Sequence, residues 1–351
     1  MAGKCGKVGL SANAWFGWNE EAASAYGTQV GPNSATEFAL PLSENIVETT
    51  ERIAPPTVTQ AFGDINQVYR SVTRVEGPVS FAMPYEGLET LLLHALGTLT
   101  SAGAATSGTY SRYFDLAAGG RYKNSNSPSL TLHASRGIVG SGSTNPLVFS
   151  YYGCVIDSIK LSCDRGGPLL VEFSFFGKNV AVATSSVTPT FPSAPIANFT
   201  ECAVTWGGVE IPVSRFEVTI SKGIDKERFF LGQTDTCEPP MSKWSVSGSL
   251  ETEWDNEIRA GGVTLRDDYA AGTDRELKFS YTSATKIPGT SAQYYEFDLT
   301  LPATLLGQVS PPVTRQGRVL MTVPFVGYDD NVAAVPHEFR IYQHAAEAFT
   351  E

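Results

Sequence analysis

Val68-Tyr69-Arg70-Ser71-Val72-Thr73-Arg74-Val75-Glu76-Gly77, continued after Pro78 by Val79-Ser80-Phe81-Ala82-Met83, is the stretch on which the fold turns. Its β-branched and aromatic residues recur in partial alternation, the pattern of a half-buried strand. From residue 85 to 97 the period changes. Leu88, Leu91, Leu92 and Ala95 fall three and four apart, which predicts a helix lying on a sheet, with Pro84 near its start and Gly97 at its C-cap.

Outward from this unit the chain reads as strands separated by loops. Toward the C-terminus, strands are predicted over 110–116, 130–133, 147–152, 154–163 and 169–176, and loops over 98–109, 119–128 and 137–146. Residues 181–198 are rich in Ser, Thr and Pro, the composition of a linker. A second β-rich unit follows, with strands over 203–206, 213–220, 244–254, 276–281, 294–301, 319–326 and 339–342 and a weak helix over 256–271.

The second unit repeats the order of the first. Val75-Glu76-Gly77-Pro78-Val79 answers to Val246-Ser247-Gly248-Ser249-Leu250, each ahead of a helix that ends at Gly97 or Gly272. Later, Pro168-Leu169-Leu170-Val171-Glu172-Phe173-Ser174-Phe175-Phe176-Gly177 aligns with Arg318-Val319-Leu320-Met321-Thr322-Val323-Pro324-Phe325-Val326-Gly327. The offset is 171 at the first pair and 150 at the second, and longer Gly/Ser loops between 98 and 147 would supply the difference. The expected fold is therefore mainly β: two tandem β-sandwich or barrel-like domains, each with a flanking helix. The boundaries are 1–67 for an extended N-terminal arm belonging to the first domain, 68–180 for that domain, 181–198 for the linker and 199–351 for the second domain.

Composition excludes several classes. Of 351 residues, 17% are charged and 33 are Gly, which argues against a coiled coil, while 11% aromatic residues argue against disorder. No apolar run is long enough for a membrane helix, and residues 1–14 lack the apolar core of a signal peptide. A net charge of −11 without any basic block opposes ordinary nucleic-acid binding. Five cysteines (Cys5, Cys154, Cys163, Cys202, Cys237) are scattered without C-x-x-C pairing and read as reduced thiols.

Catalytic patterns fare no better. His94, His133, His337 and His344 have no ligand spacing, and His94 reads as a core-edge residue of the helix. The carboxylate pairs Asp267-Asp268 and Asp329-Asp330 read as solvated turn residues rather than as a glycosidase pair or a calcium site. The sequence calls for no enzyme activity, cofactor or metal. What stands out is the arm, where Trp15, Phe16 and Trp18 lie close together before Tyr26. Such aromatics suit a groove on a neighbouring copy. With Ile46 and Ile53 of the same arm, these are the candidate contacts between subunits or rings.

The layout resembles the tail tube (major tail) proteins of long-tailed bacteriophages, in a duplicated form. The resemblance is carried by Glu20-Glu21 followed by Tyr26-Gly27-Thr28, by Ser43-Glu44-Asn45-Ile46, by Val75-Glu76-Gly77 running into the helix of Leu88 and Gly97, and by Tyr152-Gly153 and Phe176-Gly177. It implies a structural virion protein, assembled in the host cytoplasm, whose sheets join across subunits into rings. Those rings stack into a tube that conducts DNA into the host. The family's usual ring has six single-domain subunits, so a duplicated chain implies a homotrimeric, pseudo-hexameric ring. The implied partners are further copies of the chain, a tape-measure protein and transiting double-stranded DNA in the lumen, and tail terminator and baseplate or distal tail proteins at the ends. An acidic or polar lumen would keep phosphates from adhering. The competing reading is a two-domain β-sandwich binding or adhesion module, a tail accessory or carbohydrate-binding protein.

Overall fold

A computed structural model describes residues 8–9, 14–22, 26–34, 37–54, 68–102, 110–116, 129–136, 138–139, 147–184, 187–240, 244–253, 264–288, 293–309, 320–328 and 340–345. In chain order the elements are β1 (Val8–Gly9), β2 (Trp15–Glu20), β3 (Glu37–Ala39), β4 (Ser43–Glu44), β5 (Val47–Ile53), β6 (Tyr69–Ala82), α1 (Glu89–Leu96), β7 (Gly97–Ala102), β8 (Tyr110–Leu116), β9 (Leu130–Arg136), β10 (Ile138–Val139), β11 (Leu147–Cys163), β12 (Leu169–Gly177) and β13 (Asn179–Thr184). The second half holds β14 (Cys202–Trp206), β15 (Val209–Glu210), β16 (Val213–Ser221), β17 (Ser245–Glu253), α2 (Leu265–Ala271), β18 (Arg275–Lys286), β19 (Tyr294–Leu306), β20 (Leu320–Gly327) and β21 (Arg340–Ala345). The fold is mainly β, as the sequence pattern predicts, and the ladders between these strands are antiparallel.

In the first half, β11 is long enough to serve two sheets. Its N-terminal part pairs with β9 and β13, and β9 pairs in turn with β2. Its C-terminal part pairs with β12, which continues to β6 and then to β4 and β5. The two sheets meet through Phe16, Trp18, Phe81 and Phe175, with ring centroids 5.9 Å apart for Phe16 and Phe81 and 6.3 Å for Phe16 and Phe175. Alternation along β12 places Val171, Phe173 and Phe175 in this core.

The second half builds the same object. β19 pairs through its N-terminal part with β18 and β21, and β18 pairs with β14. Its C-terminal end pairs with β20, which continues to β17 and β16. The duplication read from sequence recurs as identical pairing. Val75 faces Gly177 and Gly77 faces Phe175, while Val246 faces Gly327 and Gly248 faces Phe325. The irregularities coincide as well: the β9–β11 ladder slips between Tyr151 and Cys154, and the β18–β19 ladder slips 150 residues later, between Leu301 and Thr304.

Equivalent positions also hold equivalent side chains. Trp18 faces Leu132 and Trp206 faces Leu277, both tryptophans are fully buried, and each indole N–H donates to a carboxylate. Trp18 reaches Glu37 Oε2 at 2.7 Å, and Trp206 reaches Asp268 Oδ2 at 2.8 Å.

Three local expectations are corrected. The first helix starts at Glu89, later than its apolar spacing predicts, because Pro84 bridges Ile196 and the Tyr85 N–H bonds Pro195 O at 3.0 Å, tying both residues to the 195–196 segment instead of to a helical turn. Its end is as expected, with Gly97 left-handed and its N–H on Leu93 O. Residues 97–102, composed like a loop, form β7 because β8 pairs with them, and β8 pairs onward to β21 of the second half. This hairpin has no counterpart between α2 and β18, which adds to the extra length of the first copy. The second helix begins at Leu265, capped by Thr264 Oγ1 accepting from Asp267 N at 3.1 Å. Residues 256–263 of its expected span lie outside the described residues, as do Asp329, Asp330, His337 and Cys5.

The Ser/Thr/Pro-rich stretch is held at both ends. Residues 181–184 belong to β13, and Ala197 joins Met83 and Leu169 through backbone bonds of 3.0 and 2.8 Å. The halves are joined most directly by β11 and β16, which pair from Ser158↔Ser221 to Cys163↔Phe216. Sheet order therefore runs β5-β6-β12-β11-β16-β17-β20-β19, one half edge to edge with the other.

Candidate functional site

Burial sorts the six candidate contact residues. Phe16 (0% exposed), Trp18 (0%) and Ile46 (2%) lie in the main core, and Trp15 packs with Phe38 and Val148. Tyr26 is half-buried against Val155, Phe176 and Ile224. Ile53 is exposed at 49%. The arm's aromatics thus cover the chain's own sandwich, since β2 is a full member of the sheet, and of the six Ile53 offers the most open apolar surface.

Three of the short motifs on which the family resemblance rests, Glu20-Glu21, Tyr26-Gly27 and Tyr152-Gly153, converge in space. Glu21 accepts from Gly27 N at 2.7 Å, Ser129 Oγ at 2.6 Å, Thr131 Oγ1 at 2.9 Å and Gly153 N at 2.6 Å. One carboxylate therefore fixes the 26–27 turn, the start of β9 and the bend of β11. A Cβ at Gly153, whose φ is +65°, would crowd Lys178 Cβ and Gly27 Cα, so glycine is required for the close approach.

Other carboxylates are likewise committed to the fold. Glu89 pairs with Arg112 at 2.6 Å and accepts from Gly87 N. Glu37 takes Trp18 and Thr90, and burial raises its carboxyl above the usual range against the pull of those two bonds. Glu20 meets His94 Nε2 at 2.7 Å. Asp268, expected in a solvated turn, is buried and held by Arg275 at 2.7 and 3.0 Å as well as by Trp206. Sequence missed this role because the partners lie on α2, β14 and β18, which only tertiary folding brings together.

A cavity of about 280 Å³ lies beside the β11–β16 ladder, lined in part by Cys163, Cys202, Ile211 and Phe216. Burial pushes the Cys202 thiol up to about 12 and raises that of Cys163, so neither is a ready thiolate. No group of three His, Cys, Asp or Glu among the described residues is placed to hold a metal ion, and no helix among them is long and apolar enough to cross a membrane.

Two titrations bear on stability. Burial drives the His133 imidazole down to about 4, and its Nδ1 lies 2.9 Å from Ser150 Oγ. The folded chain therefore keeps His133 neutral where the unfolded chain binds a proton, so its contribution is full above pH 6.5 and is lost as pH falls toward 4. We expect the unfolding midpoint of the wild type to drop across that window and His133→Gln to flatten the drop, as thermal melts at successive pH values would show. Lys222, fully buried beside the His94 carbonyl and the Trp244 ring, is driven down to about 7 by the same desolvation.

The remaining polar groups of note are on strand edges. Among the described residues β4 and β5 pair only with β6, leaving their outer side open. At the far end of the same sheet, among the described residues, β19 pairs with β20 only through Thr304, Leu305 and Leu306, extended by Gly307 N on Pro324 O at 2.7 Å. Among the described residues, open antiparallel edges thus lie at both ends of the doubled sandwich, where a further strand can add. A family model for the phage tail tube protein matches residues 13–325, most of the chain, and the chain belongs to that family. No curated protein matches it. The family is one of structural proteins of the phage tail.

Proposed function

We propose that this chain self-assembles into rings that stack into the phage tail tube, the conduit for DNA ejection. Three chains supply six tube domains, so the ring is a trimer with pseudo-hexameric symmetry. The observation that carries this reading is the β11–β16 ladder, in which one domain already extends the sheet of another edge to edge inside a single chain. A head-to-tail contact of that kind closes when its rotation divides a full turn, and closure removes the open edges.

The lumen holds the tape-measure protein and then the passing DNA, tail terminator and baseplate proteins close the ends, and assembly takes place in the host cytoplasm. Ile53 keeps its role as a contact between copies. The excess of acidic residues is placed so that lumen-facing side chains are acidic or polar. Electron microscopy of the concentrated protein tests the proposal. Tubes with a regular axial repeat and three chains per ring are expected, and persistent monomers, or a lumen lined by Lys and Arg, would overturn it.

A further inference from the structure

The covalent fusion of two copies makes the ladder inside the chain a template for the contact between chains. β11 maps onto β19 with an offset of 150, through the shared slip at Tyr151/Cys154 and Leu301/Thr304 and through Val155↔Phe176 and Leu305↔Val326. β16 maps onto the β4–β5 segment with an offset of 172, because Glu76↔Val47 and Ser247↔Thr219 occupy the same place on β6 and β17. The internal pairs Ser158↔Ser221 and Ile159↔Ile220 then translate into Gln308↔Thr49 and Val309↔Glu48.

We propose that Gln308 and Val309 at the end of β19 pair with Thr49 and Glu48 of β5 in a second copy of this chain, antiparallel and in the register of the β11–β16 ladder. The proposal deepens the ring reading and rests on it for the identity of the partner.

A second observation points to the same missing neighbour. In the first half, Val155 (2% exposed) and Phe176 (0%) are closed over by Ile224, which follows β16 and belongs to the second half. Their equivalents in the second half, Leu305 and Val326, are 37% and 55% exposed. The segment that would cover them comes from the next chain. The position equivalent to Ile224 falls at Arg52, adjacent to Ile53, and Val47 on the same strand is 58% exposed. The β19 end of the sheet thus carries apolar surface that the internal ladder buries at its own equivalent site, and the β5 end exposes Val47 and Ile53 beside its open edge. An edge with open backbone groups and flanking apolar side chains is suited to strand addition.

The test places Thr49→Cys and Gln308→Cys in one chain, in a Cys5→Ser, Cys237→Ser background, and oxidises it after assembly. Directly opposed strand residues have the Cβ separation a disulfide needs. Reducible multimers are expected on a non-reducing gel, with the largest closed product at three chains. The out-of-register pair Glu51→Cys and Gln308→Cys should give at least tenfold less. As a second readout, Val326→Glu should leave the melting of the lone chain unchanged, since this side chain is exposed there, and abolish multimers. If tubes form but the 49/308 pair cross-links no better than the 51/308 pair and Val326→Glu assembles normally, the proposed register is overturned and the tube reading stands. If the 49/308 multimers form but never build tubes, the register stands and the tube reading fails. If the wild type forms neither tubes nor multimers, both are overturned.

Discussion

Trp206→Ala should destabilise the unassembled chain by about 3–5 kcal/mol, as should Trp18→Ala, because each removes a fully buried indole from the middle of a sandwich core and leaves a cavity. The loss is compounded at the polar end. Asp268 retains Arg275 and Glu37 retains Thr90, but each loses the indole donor at 2.8 or 2.7 Å. Trp206→Phe should cost less, about 1–2 kcal/mol, since most of the apolar volume remains. Chemical denaturation of the lone chain, followed by far-ultraviolet circular dichroism, measures these values. The same experiment separates two roles for Trp18. A contact anchor would leave the lone chain's stability unchanged and weaken only assembly, whereas a core residue lowers stability first.

Gly248→Val should be at least as damaging locally, costing about 3 kcal/mol or more, and Gly77→Ala should behave similarly. A Cβ at Gly248 would run into the backbone carbonyl oxygen of Glu217 and the Phe325 ring. At Gly77 it would run into the carbonyl oxygen of Asn45, in a backbone with φ of +153° that side chains rarely adopt. Asn45 and Glu217 are equivalent positions on equivalent strands, so the obstruction is the same in both copies. Neither backbone can yield without breaking a ladder, so little soluble folded protein is expected from Gly248→Val, and the remaining fraction should melt well below wild type. Ala at Gly31, where nothing lies within 4 Å of an added Cβ, is the matched control and should be near neutral.

These two pairs show how much was legible beforehand. The V-x-G match between residues 75–77 and 246–248 and the Phe-x-Gly match between 175–177 and 325–327 were visible as spacing. They turn out to be the two paired strands of one ladder in each copy, which is why both matches recur with fixed offsets. Gly97 and Gly272 were readable as helix ends because a left-handed residue closes both helices. Alternation also identified β6 as a half-buried strand. It did not reveal that the Trp15–Trp18 cluster turns inward, because an aromatic at an edge and an aromatic in a core have the same sequence signature. Asp268 was equally opaque: two adjacent carboxylates in a short helix look solvated until Trp206 and Arg275 close over one of them.

By itself the sequence determined the mainly β class, the doubled order of strand, helix and strand, and the glycines that end the two helices. These follow from local rules, namely side-chain period, φ preference and repeated spacing, which act within a dozen residues. Only the tertiary structure decided that β11 pairs with β16, that the β7–β8 hairpin crosses to β21, and that Glu21 gathers Gly27 and Gly153. Such choices depend on which edges and buried polar groups remain unsatisfied once local pairing is complete. Alternation fixes the face a residue presents and says nothing of the strand it meets.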